Sequence, residues 1–261
     1  MLRYELRSVV QSPLKLGGIV LGIALWFFLE ASSVNIPNLN MPIELLNIAW
    51  GENFATIEEF TAAFKAEHIP GLIAKLGWDT SGISWVIPAL AATLLASGFT
   101  SGSTAQALSR GTGQIRLWAV KVIGFYLCVF VMQVYVLWLH ILRLWPYLNL
   151  EQTSRLFLWI FLLHSIYACG FAAPTVLIAF GTQSVFLTAA IDYAYLIVAA
   201  LAFQDIASRA WFPLTYLSER SIWQEFNTSL AQKGCLVSFV WIAVFSALSL
   251  LVFLKRDIRK N

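Results

Sequence analysis

The chain has 261 residues, of which 59% are hydrophobic and only 12% charged, with a net charge of +3 and a positive mean hydropathy. Soluble globular domains carry about 25% charged residues, and several runs here reach the ~20 apolar residues needed to cross a hydrocarbon core. The composition excludes a soluble domain, gives no reason to expect a nucleic-acid partner, and predicts an all-α polytopic membrane protein.

The opening stretch, "MLRYELRSVVQSPLK", sets Leu2, Leu6, Val9 and Val10 on one helical face and Arg3 and Arg7 on the other. That spacing predicts an amphipathic helix over residues 1–14, lying in the cytoplasmic interface and ended near Pro13. A first span follows near 15–30. It comes after a charged segment and has no small-residue cleavage site, so it is expected to stay as an anchor. Gly18 and Gly22 form a GxxxG that permits close helix packing.

Residues 31–82 are expected as an external loop. Within "TIEEFTAAFKAEHIPGLIAKLGW", Thr56 or Thr61 can cap a helix with Ile57, Phe60 and Phe64 on one face. Pro70-Gly71 breaks it, and Leu72, Ile73 and Leu76 continue an apolar stripe, suiting short helices at the outer boundary. Five further spans are expected near 83–99, 117–139, 156–180, 185–203 and 236–254, which makes six. Only "GTQS" separates the fourth from the fifth. Before the last span, "WFPLTYLSERSIWQEFNTSL" clusters Ile222, Trp223 and Phe226, and Asn227-Thr228-Ser229 fits a glycosylation sequon, a short and common pattern. With no repeat and no low-complexity segment, residues 1–261 read as one transmembrane domain.

Basic residues set the orientation. With the N terminus inside, the cytoplasmic parts hold Arg3, Arg7, Lys15, Arg110, Arg116, Lys121, Lys255, Arg256, Arg259 and Lys260, against only Glu5 and Asp257. The opposite side has more acids than bases. Both termini are therefore expected in the cytoplasm.

Ionisable residues inside a span are candidate functional sites. Asp192, in "AAIDYAY", is the deepest; Glu30 lies near the outer end of the first span, and His164 about two turns into the fourth. A proton-driven carrier would use such groups, and so would an intramembrane enzyme. Tyr193 and Tyr195 could instead satisfy Asp192 structurally. The three cysteines (Cys128, Cys169, Cys235) lie in or beside apolar runs and read as small apolar side chains, with neither a CxxC nor a His/Cys cluster. No HExxH, GxSxG or P-loop pattern occurs, so neither catalysis nor ATP hydrolysis is expected of this chain.

The cytoplasmic segment "GSTAQALSRGTGQIRLWAVK" joins the second span to the third. It resembles the segment between the second and third helices of type-two ABC export permeases, a pattern like G-T-x-x-x-L-L-S-x-P-x-x-R-x-x-x-x-x-K. Gly102-Ser103 stand at the Gly-Thr position, Leu108-Ser109-Arg110 match the Leu-Ser-x block, Arg116 lies near the arginine, and Lys121 matches the lysine that opens the third span. The likeness extends to the N-terminal elbow helix, six spans, the short fourth-to-fifth turn and the basic tail "LKRDIRKN". The chain departs from the pattern in three places: "LLASGFTS" has no glutamate upstream, Ser103 replaces threonine, and Gly111 replaces proline.

The resemblance implies a plasma (bacterial inner) membrane subunit of an ATP-driven exporter, multi-pass and non-catalytic. ATP and Mg would bind in separate cytoplasmic ABC ATPase subunits. The 100–116 loop, with Gly102, Ser103, Leu108, Ser109, Arg110, Gly111, Gln114 and Arg116, would dock there as the coupling helix, and a second permease chain would complete a homo- or heterodimer within the lipid. The rival expectations are a secondary transporter or channel using Asp192, Glu30 or His164, and a membrane-embedded enzyme or assembly factor.

Overall fold

The computed structural model describes residues 40–51, 53–65, 84–144, 150–202, 210–218 and 227–255. The elbow helix at 1–14, the first span with Gly18, Gly22 and Glu30, the Pro70-Gly71 break, the Ile222–Phe226 cluster and the tail after Lys255 lie outside the described residues.

The described residues are all-helical, without a strand. Two short helices come first, α1 (Ile43–Trp50) and α2 (Ile57–Ala63). They are followed by α3 (Ile87–Thr100), α4 (Ser103–Ser109), α5 (Gln114–Leu144), α6 (Leu150–Thr182), α7 (Val185–Ala202), α8 (Pro213–Ser218) and α9 (Thr228–Lys255). Three of them contain stretches long and apolar enough to cross a membrane: Gln114–Tyr135, Phe161–Thr182 and Thr228–Lys255. At 1.5 Å per residue, a 22-residue stretch spans about 33 Å. α3 and α7 occupy the second and fifth expected spans but are shorter apolar helices.

α6 is the hub, packing against α3, α5, α7, α8 and α9. It buries 72% of its apolar stretch whereas α9 buries 22%, so α9 turns most of its surface outward. That outward surface is apolar, with Leu236, Phe239, Val244 and Leu251 exposed, as a lipid-facing helix requires.

Small residues set the closest approach in the bundle. A Cβ built on Gly170 of α6 would lie 2.6 Å from the Cβ and 2.8 Å from the Cα of Ser238 on α9, so the two backbones nearly touch. One to two turns along, Gly234 leaves room for the rings of Tyr216 and Tyr167, and the Tyr167 hydroxyl donates to the Ala231 carbonyl at 2.8 Å. α5 is tied to the same α9 by polar side chains: Trp118 Nε1 donates to Ser249 Oγ at 2.9 Å, and the Tyr126 hydroxyl meets Ser246 Oγ at 3.1 Å. With no water to compete, such bonds supplement van der Waals packing as interhelical glue.

α3 is irregular. Its middle, Ala92–Ala96, is a π segment between the α-helical turns Ile87–Ala91 and Ser97–Thr100. Thr93 Oγ1 donates to the Ala89 carbonyl at 2.8 Å and Ser97 Oγ to the Thr93 carbonyl, so hydroxyls cover backbone acceptors around the distortion. α6 also has a proline inside it, Pro174, which cannot donate a backbone hydrogen bond.

α1 and α2 form a helix pair ordered by side chains. Gly51, at φ +69°, ends α1 in the left-handed region that glycine enters without strain. Asn47 grips the connecting turn twice, donating to the Phe54 carbonyl (2.9 Å) and accepting from its N–H (3.1 Å). Thr56 rather than Thr61 caps α2, accepting from Glu59 N–H at 3.2 Å, while Thr61 bonds back to Ile57. Phe60 and Phe64 are buried against Trp50, but Ile57 is exposed. The expected three-residue face therefore closes on two residues, with Trp50 and Phe54 filling the rest. Asn227 likewise has a structural role: its side chain accepts from Leu230 N–H at 3.1 Å as the N-cap of α9.

Candidate functional site: the α3–α5 connection and the buried polar groups

The segment joining α3 to α5 is built as a short helix with glycine at both ends. Gly102 (φ +71°) reverses the chain after α3, and the Ser103 hydroxyl reaches back to the Gly98 carbonyl at 3.3 Å. α4 then runs to Ser109 and ends in a paired termination. The Gly111 N–H bonds the Leu108 carbonyl (3.1 Å) and the Thr112 N–H bonds the Ala107 carbonyl (3.1 Å), with Gly111 at φ +84°. This is a Schellman ending with glycine at its left-handed position. A proline at 111 would lack the donating N–H and is fixed near φ −65°. The departure from the family pattern therefore has a local reason. Gly111→Pro is expected to unwind the last turn of α4, read as faster proteolysis between Gln106 and Gly113 than in the wild-type chain.

α4 has two distinct sides. Thr104 and Leu108, four residues apart, are buried beneath it, whereas Ser103, Gln106, Ser109 and Arg110 are exposed. Gly102, Gly111 and Arg116 are also exposed, and Gln114 is half-buried where α5 begins. Arg110 and Arg116 form no ion pair among the described residues. Of the residues expected to dock a partner, the structure thus brings Ser103, Ser109, Arg110, Gly111 and Arg116 to the surface. Leu108 instead fastens the helix to its own bundle.

Beneath α4 lies a compact anchor. Phe99, at the end of α3, meets Phe180 of α6 at 5.6 Å and Phe253 of α9 at 6.2 Å, and those two rings meet each other at 5.3 Å. The loop thus lies at the same end of the bundle as the α6–α7 turn and the end of α9. Lys121 of α5 is buried, with its Nζ 6.0 Å from the Phe99 ring centroid. Gly98 makes the space: a Cβ there would meet Lys121 Nζ at 2.5 Å and Thr104 Oγ1 at 2.9 Å. One cluster therefore joins α3, α4, α5, α6 and α9. The spacing of Lys121 after the loop was legible in sequence, but nothing there linked Phe99 to Phe180 and Phe253, which are separated by tens of residues.

The intramembrane candidates are dispersed. His164 is fully buried on α6 with its Nδ1 3.2 Å from Gln133 Nε2 of α5, an α5–α6 cross-tie. Asp192 is fully buried on α7, and neither carboxylate oxygen has a hydrogen-bond partner among the described residues. The two expected tyrosine donors are not hydrogen-bonded to it: the Tyr193 hydroxyl donates to the Trp85 carbonyl at 3.2 Å, and the Tyr195 hydroxyl has no partner among the described residues. Glu30 lies outside the described residues. The buried Cys169 thiol donates to the Tyr126 carbonyl at 3.6 Å, while Cys128 and Cys235 are half-buried.

A scan against protein-family models returns no match for this chain, and a search of curated proteins returns none either.

Proposed function

We propose that the chain is the membrane-spanning permease subunit of an ATP-driven ABC exporter, with α4 as the element that docks a separate cytoplasmic ATPase. The observation that carries this reading is the two-sidedness of α4. Its inner side is anchored through Thr104 and Leu108 beside the Phe99–Phe180–Phe253 cluster, and next to its outer side stand exposed Arg110, which ends it, and Arg116 of α5, neither ion-paired among the described residues. A loop serving only to mark orientation would need the charges but not the anchor. A docked partner pushing on α4 would move α3, α6 and α9 together, as rigid-body transmission requires.

In this reading the chain has six spans, an N-terminal elbow helix and both termini in the cytoplasm of a plasma membrane. The excess of Lys and Arg at the loop end and in the tail supports that orientation. Two such chains enclose the path, and ATP and Mg are bound by the partner. Affinity purification of the full chain from its native membranes should recover a P-loop ATPase. Recovery of the chain without one, with transport driven by an ion gradient alone, would replace this proposal by the secondary-carrier reading that the buried Asp192 favours.

A further inference from the structure

Asp192 has no place in the coupling just described, and its surroundings are unusually bare. On α7, Thr188, Asp192, Leu196 and Ala199 form a buried stripe at helical spacing. α7 packs against the α-helical and π segments of α3 and against α6. From Ile87 to Thr100, α3 contains no titratable residue, and neither does α6 from Phe171 to Thr182.

Of the titratable groups elsewhere on α6, those with described side chains are directed to other helices. His164 contacts Gln133 of α5, Cys169 the Tyr126 carbonyl of α5, and Tyr167 the Ala231 carbonyl of α9. On α7 itself, Tyr193 is engaged with Trp85, and Tyr195 stacks on Phe171 at 5.6 Å.

Thr93 and Ser97 donate to carbonyls of their own helix, Thr175 donates to the Ala172 carbonyl, and Thr188 pairs with Thr182 at 2.7 Å, while the Tyr195 hydroxyl has no partner among the described residues. A metal cation would need several ligands around the carboxylate, and no group of three or more His, Cys, Asp or Glu stands together among the described residues. An ionised carboxylate buried without a partner is strongly disfavoured, because nothing replaces its hydration.

We propose that Asp192 is a proton-binding site. It holds the acid form while α7 is packed on the π segment of α3 and on α6, and releases the proton when that packing opens to water. The opening is assigned to the π segment, since such distortions occur frequently at functional sites. The test of this site needs no ATPase partner, because it reads Asp192 in the chain alone.

The test uses the full chain in phospholipid vesicles and dicyclohexylcarbodiimide, an apolar reagent. The O–H of a carboxylic acid adds across one of its C=N bonds, and the O-acylisourea rearranges to a stable N-acylurea with no group leaving. Peptide mapping should find the adduct on Asp192 near neutral pH, and labelling should fall about tenfold for each pH unit above its midpoint. Adduct formation indifferent to pH, or protection by sodium at constant pH, would overturn the proposal, the latter in favour of a metal-cation site. A second measurement covers failure of the reagent to enter. Because the packed state binds the proton and the opened state releases it, raising the pH should lower the thermal stability of the wild-type chain. Asp192→Asn, a neutral isostere, should remove that slope. A slope that persists in Asp192→Asn would also overturn the assignment.

Discussion

Arg110→Glu combined with Arg116→Glu is expected to reduce recovery of the ATPase partner by at least about a hundredfold, without unfolding the chain. Both side chains are exposed and form no ion pair among the described residues, so reversing them removes no internal contact. Surface substitutions of this kind usually change folding stability by less than about 0.5 kcal/mol. Their effect on docking is different in kind. If the proposed ATPase meets these arginines with acidic side chains, each reversal turns an attraction into a like-charge contact, and such contacts cost several kcal/mol at an interface. Every 1.4 kcal/mol is about a factor of ten in affinity, so even a modest penalty at both sites reaches the expected loss. Unchanged co-purification and unchanged transport in the double variant would sink the docking assignment.

The α4 segment also illustrates what could be read from the sequence. Its polarity between two apolar runs placed it outside the membrane, and the basic residues assigned it a side. The glycine at 111 looked like a deviation, because a pattern of residue types does not reveal φ. The left-handed turn and its two backbone bonds explain it. The helices at the later spans were legible for the same reason as the loop: long apolar runs have one way to satisfy their backbone in lipid.

What remained hidden depends on tertiary partners. Hydropathy cannot distinguish α6, wrapped on most sides, from α9, which faces outward, since both are apolar all round. The π segment in α3 left no compositional mark in "IPALAATLLASGFT". For Asp192, sequence proximity suggested Tyr193 and Tyr195 as donors. Residues adjacent on a helix point about 100° apart, and Tyr193 accordingly reaches Trp85 instead.

The second large effect is expected at the α6–α9 contact. Gly170→Ala places a carbon 2.6 Å from Ser238 Cβ and 2.8 Å from Ser238 Cα, where carbon atoms ordinarily sit about 3.5–4.0 Å apart. A rotamer change cannot relieve this, because one of the opposed atoms is backbone and alanine has no torsion to adjust. α6 and α9 must separate, and they share the Tyr167–Ala231 hydrogen bond and the close Gly234–Tyr167 contact. Helix association in lipid depends on such packing, without the hydrophobic drive available in water. Overpacking of this kind costs about 1–3 kcal/mol, and a lower melting temperature in detergent is the expected readout. Ser238→Gly in the same chain removes the nearest opposed carbon and Oγ but leaves Cα, so it should restore part of the loss. That rescue forfeits no hydrogen bond, because Ser238 Oγ has no partner among the described residues. A Gly170→Ala chain as stable as wild type, or a double variant weaker than the single one, would mean that α6 and α9 are not packed through these two residues.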